Sequence, residues 1–177
     1  MLTLAAMLSA SAQSYKKLWE QANAHLANDL PRSALEVAEK MAQKAEREHN
    51  AVELLRASTV EYKAWKDIGA DSAAASLERM EARMAAETRP VEHALWQSVL
   101  GRIYVQNASR YFYRHTPTDS AQESRGKALL RASVSDIDLL GRTGVKPYAA
   151  LFEKGSESRY FKDDLLSALA YEAMENG

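Results

Sequence analysis

The chain has 177 residues, 46% of them hydrophobic, with 23 Lys plus Arg balanced by 24 Asp plus Glu and no cysteine. That length holds one domain with a real core, and the charge balance argues against a nucleic-acid footprint or an anionic-membrane binder. The lack of cysteine excludes disulfides, thiolate metal sites and Cys nucleophiles.

With 7 Gly and 4 Pro, turn residues are few for a β-rich fold, whereas Ala, Leu, Met, Glu, Lys and Arg favour helix. At the N-terminus a short apolar start, Met1 to Met7, leads into the small-residue run Ser9-Ala10-Ser11-Ala12-Gln13. That run has the form preceding a signal-peptidase cut. Residues 1–13 are therefore read as a signal-peptide remnant without its basic region, and residues 14–177 as a single exported helical-repeat domain. The location expected is periplasmic, outer-surface or extracellular. No later apolar run approaches the roughly 18 residues a membrane span needs.

Apolar residues Tyr15, Leu18, Trp19, Ala22 and Leu26 recur at helical spacing over residues 15–28. After Asp29-Leu30-Pro31 a second helix places Leu35, Ala38, Met41, Ala42 and Ala45 on one face. Asp29 is the expected N-cap and Pro31 a first-turn proline. So short a link folds the two helices into an αα-hairpin, with Trp19 and Leu35 buried on facing sides. The polar run from Glu46 to Asn50 ends the second helix. A third helix carries Leu54, Leu55, Ser58, Tyr62 and Trp65 and stops near Gly69, read as a left-handed C-terminal residue, with Asp71 or Ser72 capping the next. The fourth uses Ala73, Leu77, Met80 and Met84. Pro90 opens the fifth, with Leu95, Trp96, Val99, Leu100, Ile103 and Tyr104 as its apolar set and a reach toward Tyr111-Phe112-Tyr113. A sixth helix is expected over residues 121–140, carrying Leu129, Leu130, Val134, Ile137 and Leu140. The stretch from Gly141 to Pro147 reads as loop. A short helix near Tyr148 and a last one over residues 160–174, with Phe161, Leu165, Leu166, Leu169 and Ala170 inward, complete the chain. The fold class expected is all-α, a TPR-like array of antiparallel helix hairpins of about 35 to 45 residues each.

The search for chemistry returns little. Glu46 and His49 form one Glu-x-x-His, the inward motif of di-iron bundles, but such bundles need two copies and two more carboxylates. His49 lies in a charged helix end, where a solvated cap is the simpler reading. Asp136 and Asp138, two apart on a helix, point in different directions. Asp163 and Asp164 suit a helix start. No Gly-rich loop carries Lys-Ser/Thr, and no Ser sits in Gly-x-Ser-x-Gly. The expectation is a non-enzyme with no catalytic residue, no cofactor and no metal. The stretch from Arg102 to Arg114 interleaves basic and aromatic residues, a pattern that can stack bases or glycans. Balanced net charge and an export signal turn that reading away from nucleic acid and toward protein or glycan contact. The candidate interaction face is Arg102, Gln106, Arg110, Tyr113 and Arg114, with Tyr104 and Tyr111 packed inside.

An ordered series of residues resembles a known family. Tyr15-x-x-Leu18-Trp19, Asp29-Leu30-Pro31-x-x-Ala34-Leu35, Lys44-Ala45-x-x-Glu48-x-Asn50 and Leu54-Leu55-Arg56-Ala57 are similar to the N-terminal helical region of the large exported alpha-2-macroglobulin-like proteins of Bacteroidetes. The run Leu100-Gly101-Arg102-Ile103-Tyr104, with Asn107, Arg110 and Arg114-His115-Thr116, looks like a second block of that region. Arg32 and Arg56 stand where the family more often has Lys. The resemblance covers roughly residues 14–120 and the remainder loosely. It implies a non-catalytic helical scaffold ahead of macroglobulin domains, in a protease-inhibitor-type protein. Without Cys, the family's thioester cannot lie in this chain. The partners implied are the downstream macroglobulin domains of the same chain or another protein. The alternatives are a free-standing TPR-like adaptor for a protein or peptide and, from another class, a helical-bundle enzyme with a carboxylate or His site.

Overall fold

In the computed structural model, residues 14–109, 117–152 and 163–176 are described. They are helical almost throughout: α1 (Tyr15–Ala27), α2 (Pro31–Arg47), α3 (Ala51–Ile68), α4 (Ala70–Ala86), α5 (Pro90–Ser109), α6 (Pro117–Ser133), α7 (Ile137–Arg142), a 3-10 helix (Lys146–Leu151) and α8 (Leu165–Asn176). The all-α class expected from periodicity is the class observed, and the single β-type pairing among the described residues is an isolated bridge between Gly144 and Asp164. The described residues divide into two compact units, one ending at Ser76 and one beginning at Leu77.

In the first unit α2 packs chiefly on α3, and α1 lies on α2. Their shared core includes Leu18, Ala22, Leu35, Val60 and Ala64, all under one-tenth exposed, with Met41 fully buried. Leu35 is buried as expected. Trp19 is only partly buried and packs at the edge of this cluster.

The α1–α2 and α2–α3 turns are built alike, and differently from the sequence expectation. Asp29 does not cap α2. It adopts φ 54°, while Leu30 takes the N-cap position without a side-chain bond and Pro31 enters the first turn as expected. The Leu30 N–H donates to the His25 carbonyl at 2.9 Å and the Asp29 N–H to the Leu26 carbonyl at 3.3 Å. This is the paired closure that satisfies the last carbonyls of a helix through one left-handed residue. The end of α2 repeats it: His49 has φ 52°, and the Asn50 N–H donates to the Ala45 carbonyl at 2.9 Å. Asn50 then caps α3 by accepting from the Glu53 N–H at 3.2 Å. Reversing the chain within three residues requires the left-handed residue, and at both points a polar non-glycine supplies it.

Gly69 is a correction of another kind. Its φ is 173°, extended rather than left-handed, and it joins α3 to α4 directly. Its N–H donates to the Trp65 carbonyl at 2.9 Å and its carbonyl accepts from the Ala73 N–H at 3.0 Å. α4 therefore begins at Ala70, with Asp71 inside its first turn rather than capping it.

In the second unit α5 packs most extensively on α6, and α8 lies against α5, α6 and α7. Trp96, Leu100, Leu130, Leu140, Leu165 and Leu169 are essentially sealed from solvent. α5 and α6 meet backbone to backbone at Gly101 and Gly126. A methyl group at Gly101 would lie 2.9 Å from the Gly126 carbonyl oxygen, and one at Gly126 would lie 2.8 Å from the Gly101 oxygen.

The expected sixth helix is two helices. α6 starts at Pro117, in a polar stretch expected to be loop, and stops at Ser133; α7 restarts at Ile137. Between them Ser133 donates to the Leu130 carbonyl at 2.7 Å, and Asp136 caps α7 by accepting from the Leu139 N–H at 3.1 Å. These short polar side chains compete for backbone groups that a continuous helix would use. The break leaves Ile137, expected inward, 64% exposed. The last helix begins at Leu165, five residues later than expected. There Asp164 accepts from the Ser167 N–H at 2.7 Å, so of the adjacent acidic pair it is the second that makes the start. Phe161 and the expected extension of α5 to Tyr111-Phe112-Tyr113 lie outside the described residues.

Candidate interaction face

Of the five residues of the candidate face, Arg102 and Gln106 lie one turn apart on α5, and Arg110, Tyr113 and Arg114 lie outside the described residues. Gln106 is exposed. Arg102 is half-buried, and its guanidinium donates to Glu172 Oε2 of α8 at 2.9 Å. The side chains of Arg102 and Glu172 are 24% and 14% exposed, so this pair joins two helices of the second unit rather than presenting a free cation. A small cavity beside it is lined by Leu95, Ser98, Val99, Phe152 and Leu169.

Tyr104 turns inward, as expected for the apolar side of α5. It is 9% exposed, and its hydroxyl donates to Glu81 Oε1 of α4. The same oxygen takes an ion pair from Arg125 of α6 at 2.6 Å, and the Arg125 guanidinium lies 5.6 Å from the Tyr104 ring centroid. One carboxylate thus joins three helices of the second unit. Helical spacing marks Tyr104 as inward, but nothing in the sequence assigns Glu81 or Arg125 to it.

A third polar cluster holds the α4–α5 turn. Glu87 accepts from the Arg89 N–H at 3.0 Å and from its guanidinium at 2.9 and 2.7 Å. Arg89 also reaches Glu92 at 3.8 Å. The hydrogen bond from Arg89 holds the Glu87 carboxyl below the usual carboxylate range, and the same contact pushes Arg89 up. Burial, then the charge of Glu92, raises the Tyr148 phenol of the 3-10 helix.

In the first unit the same logic recurs on α1. Tyr15 donates to Glu48 Oε2 at 2.7 Å, Lys44 pairs with the other Glu48 oxygen, and the Lys44 ammonium lies 4.9 Å from the Tyr15 ring centroid. Burial, then the bond to Glu48, pushes the Tyr15 phenol well up. The hydrogen bond from Lys44, then that from Tyr15, lowers Glu48. One turn along, the Arg56 guanidinium stacks 4.1 Å from the Trp19 ring centroid and pairs with Glu53 at 2.8 Å. Glu53 Oε2 and Arg56 Nε are buried without a partner.

The remaining sequence candidates resolve into helix ends. Glu46 and His49 are both exposed, with His49 in the left-handed turn after α2. Asp136 is a cap and Asp138 is exposed in the first turn of α7. Among the described residues no three His, Cys, Asp or Glu side chains are grouped to hold a metal ion, and no helix is long and apolar enough to cross a membrane. Comparison with protein-family models, with curated proteins and with solved structures finds no match to this chain.

Proposed function

We propose that the protein is a non-catalytic helical scaffold, an array of TPR-like antiparallel helix pairs that serves as an interaction module. The observation supporting this reading is the use made of its charged and aromatic residues: Arg102 with Glu172, and Tyr104 with Glu81 and Arg125, connect helices to one another. Polar networks of this kind fix one arrangement of a helical framework. The resemblance of residues 14–120 adds the more specific reading, the leading module of an exported alpha-2-macroglobulin-like chain, docked onto the domains that follow. In that setting the face at Gln106, Arg110, Tyr113 and Arg114 supplies contact area and directed hydrogen bonds to its neighbour, as aromatic and Arg residues do in interfaces. Arg102 serves it from within, by fixing α5 to α8.

The reading frame downstream of Gly177 is the direct test. A β-rich continuation supports the macroglobulin reading, and a stop codon there favours the free-standing adaptor. Where the frame continues, Arg110→Glu with Arg114→Glu is expected to leave the helical circular dichroism signal and melting temperature unchanged. It should speed protease cleavage near Gly177 in the full-length protein. Equal cleavage in wild type and variant removes this face from the proposal.

A further inference from the structure

α1 is held to its unit by less than either of its neighbours. It fully buries two side chains, Leu18 and Ala22, whereas α2 buries seven, among them Leu35, Val37 and Met41. One of the two on α1 is an alanine, so the apolar area that α1 withdraws from water is small. Leu26 and Trp19 add partly buried apolar contact with the cluster, and two half-buried rings one turn apart, Tyr15 and Trp19, fasten its edge. Tyr15 bonds to Glu48 at 2.7 Å beneath the Lys44 ammonium, and Trp19 stacks on the Arg56 guanidinium at 4.1 Å. The Tyr15 contact, whose Glu48 partner is 47% exposed, is of the weak, salt-screened kind. The Arg56 guanidinium, 13% exposed at its side chain, makes the firmer of the two.

Two further features bear on what happens when these contacts break. With 13 residues, α1 is too short to persist as an isolated helix in water, so release and melting are one event. Its link to α2 is the left-handed turn at Asp29, whose closing hydrogen bonds run back to His25 and Leu26 of α1 itself. Those closing bonds are therefore lost with the helix, while Leu30 stays at the start of α2, where its carbonyl accepts from the Ala34 N–H at 3.0 Å. By contrast α2 and α3, at 17 and 18 residues, share the most extensive packing in the unit.

We infer that α1 is a strap: it releases and melts as one unit while α2 and α3 stay folded, uncovering the apolar cluster that Leu18 and Ala22 close. This is a sub-global opening of the kind that separates weakly from strongly packed elements of one structure. It does not depend on the scaffold reading.

Amide hydrogen exchange on the intact chain tests it. Amides 19–27 of α1 are expected to exchange about tenfold or more faster than those of residues 37–45 and 57–64. A substitution then separates the strap from general loosening. Glu48→Ala removes the acceptor of Tyr15 and Lys44 at an exposed position, and Lys44, 19% exposed at its side chain, keeps the Tyr15 ring 4.9 Å away. It also removes a negative charge from the C-terminal end of α2, where the helix dipole disfavours one. The variant should speed exchange in α1 by about two- to fivefold, the range of an exposed charged contact, while α2 exchanges no faster than before. Tyr15→Phe should move α1 in the same direction. Exchange of α1 in step with α2 and α3 in the wild type overturns the inference. So does a Glu48→Ala variant in which α1 is unchanged or α2 accelerates equally.

Discussion

At the scale of single residues, three glycines that look alike in the sequence have three different neighbourhoods. Gly69 has nothing within 4 Å of where a methyl would go, and its φ of 173° is open to any residue. Gly69→Ala should therefore be neutral or stabilise by up to about 1 kcal/mol, through reduced freedom of the unfolded chain. Gly101 and Gly126 sit mid-helix, where alanine would ordinarily gain about 1 kcal/mol in helix propensity. Here the added methyl meets backbone oxygen at 2.9 and 2.8 Å, which cannot step aside as a side-chain end can. Overpacking of this sort costs about 1–3 kcal/mol, so the clash outweighs the propensity gain. Urea titration should rank Gly69→Ala at or above wild type and both Gly101→Ala and Gly126→Ala below it. A Gly126→Ala protein as stable as wild type would mean that the two helices do not cross there. The sequence carried a hint of this contact that its periodicity does not express. A glycine inside a helical pattern such as Gly126 is costly unless something approaches its Cα closely.

At the scale of elements, what periodicity records is which side of a helix is apolar, and that was legible from α1 to α5 and in α8. What it does not record is how a helix ends. Apart from the start of α6 at Pro117, the boundaries revised by backbone choice involve a short polar side chain or a glycine with more than one option: Asp29 as a left-handed residue rather than a cap, Gly69 extended, Ser133 and Asp136 dividing one expected helix into two. The candidate face was legible only in part for a related reason. The spacing of Arg102 and Gln106 puts them on one side of α5, but the partner Glu172 lies 70 positions away, and no local pattern announces it. Asp29 and His49 illustrate the same limit, because the sequence marks both as polar and neither as left-handed. The α4–α5 turn gives this scale its prediction. Glu87 is held below the usual carboxylate range by Arg89, so the unfolded chain binds its proton more readily than the folded one. Its contribution is therefore present above the ordinary glutamate value and is lost as pH falls through the lowered one. Acid titration of stability should show a steeper loss below about pH 4 in wild type than in Glu87→Gln, which no longer has a proton to take up there. Superimposable acid limbs would show that the Glu87–Arg89 contact is not kept in solution.

At the scale of the whole molecule, the feature to explain is that the division between the two units falls inside a helix. Unit one ends at Ser76 and unit two begins at Leu77, yet α4 runs unbroken from Ala70 to Ala86. Neither part of α4 is long enough to hold a helix in water by itself, since isolated helices shorter than about 12–15 residues are marginal. Loss of the first unit, to which residues 70–76 of α4 belong, therefore frays the helix toward Leu77 and Met80, which are buried in the second unit. Helical continuity alone should then make the two units unfold together. The tryptophans can report this separately, with Trp19 and Trp65 in the first unit and Trp96 in the second. A variant carrying Trp19→Phe and Trp65→Phe keeps only the reporter of the second unit, and one carrying Trp19→Phe and Trp96→Phe keeps only Trp65 of α3, clear of the strap. Each variant's fluorescence midpoint in urea should coincide with its own midpoint by circular dichroism. Adding Ala74→Gly and Ala75→Gly, at two exposed positions of α4, weakens the helix by about 2 kcal/mol at the position where the coupling runs. That change should pull the two probes apart, with the first unit melting earlier. If the midpoints already differ without the glycines, α4 does not transmit unfolding, and the units are independent despite sharing a helix.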